Sequence, residues 1–534
     1  MKRNLYKLIL IIIIFIPANA LAVDVWNLPV DIDLLQTVKY ENVTGNRSLS
    51  FKEPGWHSLT ELGLSAAKQF QDGWISSFQM QLRKTDDDEI DPNHNSVRLL
   101  SWLIETRNDT FDIQIGDIYS NFTDLTLSRS LEGVSVDSTF DRVTLNTVLS
   151  RVGRRDTTIP NPTYMRYVLG QRANYQVIRD GAWINDLKLG ANFVYNIDDT
   201  GTIKEMEQNA TGLRNYVWSL DQELQVFDNL KLTSEFARSF ARDNNTVTID
   251  GHRLGNAIKA GADYDKDPVG FSFRFHRIDP NFMTDSGSAT IDQEMYQYTL
   301  RLFNNSRFST TFNYMTYHDN LDKIPGQEAT NTRNPSIAFR IIPIKDRRSF
   351  TINPRYDFRW QRSTLRTTDN RTHTADITVS DYVGDFSWNW GYNYRKFGDY
   401  AGTNNNIVNT GTAGISYRFS FPDFSYTPGL NYTYIREFYS SPFDRIDRTN
   451  NVAFNFDFTV GSKFTGRFNY SFQASQRQAV DANTLNQRGG FDFNYRLWDT
   501  LTLKTYLNVN KNWRKGGGFS VREIDSGMTL NARF

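Results

Sequence analysis

In the segment Phe464-Thr-Gly-Arg-Phe-Asn-Tyr-Ser-Phe-Gln-Ala-Ser475, the residues Phe464, Phe468, Tyr470 and Phe472 alternate with Thr465, Arg467, Asn469, Ser471 and Gln473. Successive side chains of an extended chain point to opposite faces, so this alternation specifies a strand with one apolar and one polar face. The pattern recurs through the chain. Val452, Phe454, Phe456, Phe458 and Val460 are set against Asn455, Asp457 and Thr459. Phe386, Trp388, Trp390, Tyr392 and Tyr394 are set against Asp385, Ser387, Asn389, Gly391, Asn393 and Arg395. Val269 to Phe275, Tyr296 to Leu302, Phe350 to Trp360, Ala413 to Phe421 and Leu501 to Val509 read the same way. Strands of about ten residues are long for a soluble sheet and suit a tilted strand that crosses a bilayer.

The connections alternate too. Tight polar turns are expected near Asp72, Asp109, Ser138, Gly181, Asp228, Asp267, Asn305, Asp346, Gly384, Asp423, Gly461 and Asp499. Longer polar stretches lie between them, such as Asp279 to Gln293, Asp319 to Asn334, Gly398 to Thr410 and Gln476 to Gly489. From Asp228 the turns recur roughly every 40 residues, the period of two strands, one short turn and one long loop. Adding an opening strand near Asp31 to Asn42 and a closing strand at the C-terminus gives about 26 strands, or 24 if Gly116 to Asp137 is not part of the wall. The fold expected is all-β: a single antiparallel up-and-down transmembrane barrel with short periplasmic turns and longer extracellular loops. Tyrosine pairs such as Tyr296 and Tyr298, Tyr392 and Tyr394, and Tyr432 and Tyr434 suit aromatic girdles at the interfaces. An array of soluble β-sandwiches is disfavoured, because its strands would be shorter and no Pro/Ser/Gly linker interrupts the chain.

Composition agrees and excludes other classes. The 534 residues include no Cys, 39% are hydrophobic, 14% are aromatic, and mean hydropathy is −0.54. Beyond the N-terminus no apolar run reaches the ~18 to 20 residues of a membrane helix. Without Cys there is no disulfide framework, thiolate metal site, covalently held haem or cysteine nucleophile. At the N-terminus, Lys2, Arg3 and Lys7 precede an apolar core from Leu8 to Ile16 and the small residues Ala18, Ala20 and Ala22. This order predicts a cleaved signal peptide over 1–22 and a barrel over 23–534, with no separate plug or periplasmic domain.

With lipid outside, the polar faces turn to the lumen. Arg274, Arg301, Arg355, Arg359, Arg395, Arg418, Arg467, Arg496 and Lys504 are placed there, with Arg533, beside Asp357, Asp376, Asp385, Asp457, Asp492 and Asp525. From Arg301 onward there are 30 basic and 20 acidic residues, against 60 of each in the whole chain, so the earlier part is acidic. A basic inner side steers anions or an acidic partner; the alternative is a cross-strand Arg/Asp network that stiffens the wall. The run Asp86, Asp87, Asp88, Glu89 and Asp91 is a candidate cation loop through Asp86, Asp88 and Asp91, but it lacks the glycine and distant glutamate of a calcium loop, and a solvated loop is the favoured reading. The six histidines show no paired ligand spacing, and neither a nucleophile elbow nor a P-loop occurs. Catalysis, a cofactor, a metal and a nucleic-acid partner are therefore not expected.

Ile524, Met528, Leu530 and Phe534 share one face of the last strand, opposite Asp525, Thr529, Asn531 and Arg533. A terminal amphipathic strand ending in an aromatic resembles the assembly signal of bacterial outer-membrane barrels, and that resemblance implies insertion by the outer-membrane assembly machinery. Gly116-Asp117, with Arg129 and Gly133, resembles the Gly-Asp and Arg/Gly pieces of fimbrial ushers over about twenty residues. The plug and periplasmic domains of an usher are missing, so no function is carried across, and an irregular inward loop is expected there. Barrels of 22 strands carry a plug, so a wider wall without one needs inward loops, an occupant or a gate. The overall pattern resembles the barrel component of porin-cytochrome complexes, which implies a sheath around a multihaem cytochrome; any haem would belong to that partner, and this chain carries no recognisable docking motif. The expected function is a wide conduit occupied or gated by a partner or by exported cargo. The alternatives are a passive porin for anionic or sugar-like solutes and a membrane-embedded enzyme or adhesion scaffold.

Overall fold

A computed structural model describes residues 30–50, 52–91, 97–152, 165–199, 212–243, 252–303, 305, 307–323, 326–402, 404–440, 444–478, 483–514 and 520–534. The signal peptide expected over 1–22 lies outside them. In chain order the strands are β1 Val30–Gly45, β2 Gly55–Gln69, β3 Ile75–Thr85, β4 Arg98–Arg107, β5 Phe111–Thr123, β6 Leu127–Phe140, β7 Val143–Arg151, β8 Met165–Arg179 and β9 Ile184–Asp199. Next come β10 Leu213–Val226, β11 Leu230–Asp243, β12 His252–Lys266, β13 Val269–Ile278, β14 Gln293–Leu302, β15 Phe308–His318, β16 Thr330–Ile341, β17 Thr351–Ser363 and β18 Asp369–Val383. The last are β19 Phe386–Asp399, β20 Asn406–Tyr417 with its continuation Phe419–Ser420, β21 Phe424–Tyr439, β22 Arg445–Val460, β23 Phe464–Arg477, β24 Thr484–Trp498, β25 Leu501–Arg514 and β26 Val521–Arg533.

Each strand pairs antiparallel with its sequence neighbour, and β1 closes on β26 in a ladder from Asp33↔Arg533 to Gly45↔Val521. The result is a closed barrel of 26 strands. Closure is what lets a sheet cross hydrocarbon, because every backbone N–H and C=O of the wall then finds a partner. The expected turns fall where the sequence puts them, with one displacement: the turn expected near Ser138 is at Asp141-Arg142, since Phe140 and Val143 extend the ladder to the tip. Gly384 and Gly461 adopt φ of +57° and +55° at their turns, a conformation open to glycine without steric cost.

The apolar parity faces outward. Leu169, Phe193, Trp218, Leu220 and Phe236 are exposed on the outer wall, as are Tyr298, Tyr392 and Tyr432 from the expected girdles. Phe70, Trp183, Phe227, Phe303, Phe421 and Trp498 are exposed at the short turns, where amphipathic rings favour a membrane interface. Lipid-facing apolar residues on a closed barrel, with aromatics at its rim, are the design of a bacterial outer-membrane protein. The chain is an outer-membrane β-barrel.

Two clusters of buried apolar side chains lie inside the wall, where a water-filled barrel would have none. One joins Ile118, Phe122, Leu127 and Leu131 to Val148, Val168 and Val194. The other joins Leu125 to Val217, Ala237, Ala257, Ile278 and Phe282. Both are built by the segment that breaks the hairpin rhythm of the sequence.

Candidate functional site

Along β5, Ile113 and Ile115 hold the outward parity and Asp112 and Gln114 the inward one. At Gly116 the assignment inverts, so that Ile118 and Phe122 are buried while Tyr119 and Asn121 are exposed. β6 inverts in the same way, with Leu127 and Leu131 buried on the parity opposite to Val134 and Val136. The two switch points, Gly116 and Gly133, are directly paired. The β4–β5 ladder stops at Leu103↔Gly116, and the β6–β7 ladder starts at Glu132↔Arg151. Residues 117–131 therefore leave the wall as a hairpin and lie over the inner face of β7–β9. The irregular inward loop expected here is inward but regular, a two-stranded ladder that continues to Thr123↔Leu127.

Glycine is required at both hinges. Gly116 has φ of +126°, and a Cβ there would strike the carbonyl of Trp102; a Cβ at Gly133 would strike the carbonyl of Leu149 and Ser150. The Asp117 carboxylate accepts the Trp102 N–H at 2.8 Å beside the hinge. On the wall, Gly170 makes room for the hairpin: a Cβ there would lie 3.0 Å from Phe122 and 3.2 Å from Leu127.

The connection 279–292 folds inward as well and clasps the hairpin tip. Ser128 N donates to Ser286 O at 2.8 Å and Ser288 N to Asp124 O at 2.9 Å. Arg129 Nη1 donates to Asp285 O at 2.7 Å. This connection is tied to the wall by Met283 N to Ser239 Oγ at 2.9 Å and by Asn215 Nδ2 to Met283 O at 2.9 Å. Asp285 pairs with Arg166 at 3.3 Å, and Lys259 reaches Asp124 at 3.1 Å. Burial pushes the Asp285 carboxyl above its ordinary value against the opposing pull of Arg166. Hairpin and connection together cover the inner wall from β7 to β13, and Tyr119, 64% exposed, stands on the face turned to the lumen.

All nine basic positions named from the sequence hold the inward parity. Four belong to carboxylate pairs: Arg274 with Asp263 at 2.7 Å, Arg301 with Asp265 at 3.0 Å, Arg355 with Asp357 at 2.6 Å and Arg467 with Asp457 at 2.5 Å. Arg301 reaches across Gly270, whose missing side chain opens the path from β14 to β12. Arg359, Arg395, Arg418, Arg496 and Lys504 make no ion pair among the described residues. Two members of the acidic run are paired with basic side chains. Asp86 accepts the Ser58 N–H, Asp87 pairs with Lys39, Asp91 with Arg98 at 2.9 Å, and Asp88 is exposed. Among the described residues no three His, Asp or Glu side chains are grouped to hold a metal ion. Ile524, Met528 and Leu530 share the outward parity of β26, and Phe534 exchanges two backbone hydrogen bonds with Ile32, each 2.9 Å.

Sequence reading places an inward loop here and misses only its regular ladder and docking surface, although the exit from the wall is signalled: apolar residues change parity at Gly116 and change back at Gly133. The clasp by residues 279–292 has no comparable signal.

No family model and no curated protein matches the chain. Among solved structures, the translocation pore of the P pilus usher PapC is similar at 10% identity and a TM-score of 0.37, covering 95% of this chain and 99% of that one. OprD of Pseudomonas aeruginosa is similar at 12% identity and a TM-score of 0.34, covering 68% and 95%. OmpT of Vibrio cholerae, an outer-membrane protein, is similar at 9% identity and a TM-score of 0.28, covering 57% and 98% in its loop-deleted form. What the structure itself establishes is a closed barrel of the outer-membrane type with the inner face of seven of its 26 strands, β7 to β13, covered from within.

Proposed function

We propose that this barrel is a non-enzymatic conduit across the outer membrane, with a lumen narrowed by the hairpin of residues 117–131 and its clasp and with space for a large polar occupant. One observation carries the reading. The inward side chains of β17–β25 stay half-exposed or exposed except Ser363, Val408 and Asp447 near the long loops, with Asn389, Asn431, Arg467 and Asn508 open to the lumen, although 26 strands surround them. Barrels of sixteen to eighteen strands already leave an aqueous channel. The occupant is an exported macromolecule or a partner protein such as a multihaem cytochrome, which would bring its own haem because this chain has no Cys. Delivery to the membrane falls to the outer-membrane assembly machinery acting on Ile524, Met528, Leu530 and Phe534.

A passive porin is the second reading, favoured by the inward hairpin, which constricts the lumen without filling it. Planar-bilayer recording of the purified protein, with co-purification from outer membranes, separates the two. Unstable large openings together with a stoichiometric companion are expected for the conduit. Steady conductance with no companion would replace it with the porin. Silence with no companion would remove both.

A further inference from the structure

The part of the inner wall across from the hairpin carries an ordered pattern. Inward side chains on neighbouring strands stand in register as rows. One row runs Ser416, Gly429, Asn455, Asn469, Gly490, Asn508 and ends on Asp525. The next runs Asn389, Gly414, Asn431, Ala453, Ser471 and ends on Arg488. A third runs Thr412, Thr433, Asn451, Gln473, Asn486, Asn512. Up to those two terminal residues the rows hold no charge. Charge borders them instead, with Arg418, Asp457, Arg467 and Asp492 toward the short turns and Arg395, Glu437, Asp447 and Arg477 toward the long loops.

Within this band one motif occurs twice. Asn389 and Asn431 lie over Gly414 from either side, so a Cβ on that glycine would be 2.9 and 2.5 Å from their amide oxygens. Asn469 and Asn508 lie over Gly490 in the same way, at 2.5 and 2.9 Å. In both places a glycine lets two amides lie along the wall. None of these four side chains makes a hydrogen bond among the described residues, so their donors and acceptors stand free in the lumen. Adjacent strands are about 4.8 Å apart, and extending the rows back to Thr378 and Ser380 on β18 gives a band about 34 Å long. Strands tilted by roughly 40° make such a band climb the wall obliquely.

An Asn amide offers two donors and one acceptor oxygen with no charge, a match for vicinal hydroxyls. A polyanion or polycation would leave its counterions for a wall without matching charge, and an apolar chain would strip water from the amides without replacing their hydrogen bonds. In a ring of 26, β18–β25 and β7–β13 stand nearly opposite, which sets the exposed ring of Tyr119 across the lumen from the band. We propose that the band is a track for an uncharged carbohydrate chain moving along the lumen. This deepens and rests on the conduit reading, naming the chemistry of what passes.

The test is single-channel recording with the linear neutral oligosaccharide maltoheptaose, and with oligogalacturonate as the anionic counterpart. The variants are Asn431→Ala/Asn455→Ala/Asn469→Ala and, on the charged border, Asp457→Asn/Arg467→Gln, each checked for a closed barrel by heat-modifiable migration. Saturable block by maltoheptaose is expected, weakened about tenfold or more in the triple variant through three lost hydrogen bonds and unchanged in the border variant. A conducting channel that maltoheptaose does not block, that oligogalacturonate blocks more tightly, or whose block survives the triple substitution overturns the track and leaves the conduit standing. Absence of any conductance overturns the track, and absence of both conductance and a co-purifying companion overturns the conduit with it.

Discussion

Release of the inward hairpin is the perturbation with the largest expected readout. Ile118, Phe122, Leu125, Leu127 and Leu131 are 0–5% exposed in the docked state. At about 1.5–3 kcal/mol for each fully buried side chain, docking is worth roughly 7–15 kcal/mol before the cost of ordering the hinge is set against it. A single Leu127→Ala removes about 2–5 kcal/mol, which raises the undocked population by a factor of about 30 to several thousand yet leaves the hairpin mostly docked. Leu125 and Leu127 belong to different buried clusters, so Leu125→Ala/Leu127→Ala removes roughly 4–10 kcal/mol, enough to populate the open form. Planar-bilayer recording is expected to show brief additional openings in the single variant and long-lived ones in the double variant. Outer-membrane permeability to a large antibiotic in whole cells should rise in parallel. A double variant that assembles as a closed barrel and conducts as the wild type does would refute the view that this hairpin narrows the lumen.

Asp285 gives the clasp a pH dependence whose sign is fixed by its raised pKa. The docked state favours the protonated carboxyl, so docking strengthens as pH falls through the raised value toward the ordinary value near 3.9 and weakens above it. Conductance is expected to fall on acidification, and Asp285→Asn, which keeps the hydrogen bond from Arg129 to the backbone oxygen, should flatten the profile; an unchanged profile would refute the assignment of the pH dependence to Asp285. Deleting Phe534 removes the two backbone hydrogen bonds to Ile32 and the terminal aromatic, and should reduce the barrel recovered in outer-membrane fractions, measured by heat-modifiable migration. Lys39→Met strands the Asp87 carboxylate, 1% exposed, and should lower stability by about 3–5 kcal/mol. Millimolar calcium should neither rescue that variant nor shift the thermal unfolding of the wild type, since lysine rather than a metal ion holds the loop.

Parity made the wall legible. A strand such as Phe464–Arg477 states in its own residues which face meets lipid, and Asp499 or Gly384 states where it must turn, so each hairpin could be read locally. The same rule, followed through Gly116, also shows where the chain leaves the wall, because Ile118 and Phe122 occupy positions that Asp112 and Gln114 hold one turn of the pattern earlier. It cannot show what the hairpin lands on. Val148, Val168, Val194 and Val217 each interrupt an otherwise polar inward face, but one valine per strand is an ordinary event, and their alignment into a single surface exists only after β7–β10 are placed side by side. The clasp at Met283 to Ser288 is less legible still, since its contacts run mainly through backbone atoms and are not encoded in any side-chain pattern.

The lumen chemistry depends on a quantity that parity leaves undetermined. Alternation fixes which side chains face inward, but sliding one strand against its neighbour by two residues preserves every inward and outward assignment. Such a slip between β22 and β23 would set Asn455 beside Arg467 instead of Asn469 and break the neutral band with a charge. The excess of basic over acidic residues after Arg301 therefore said nothing reliable about the middle of the lumen. Register sorts the same side chains into charged borders, where Arg467 meets Asp457, and a band of amides and hydroxyls between them. The barrel's shear, set by 25 sequential ladders and the closing ladder between β1 and β26, is accordingly the structural property on which the neutral band rests.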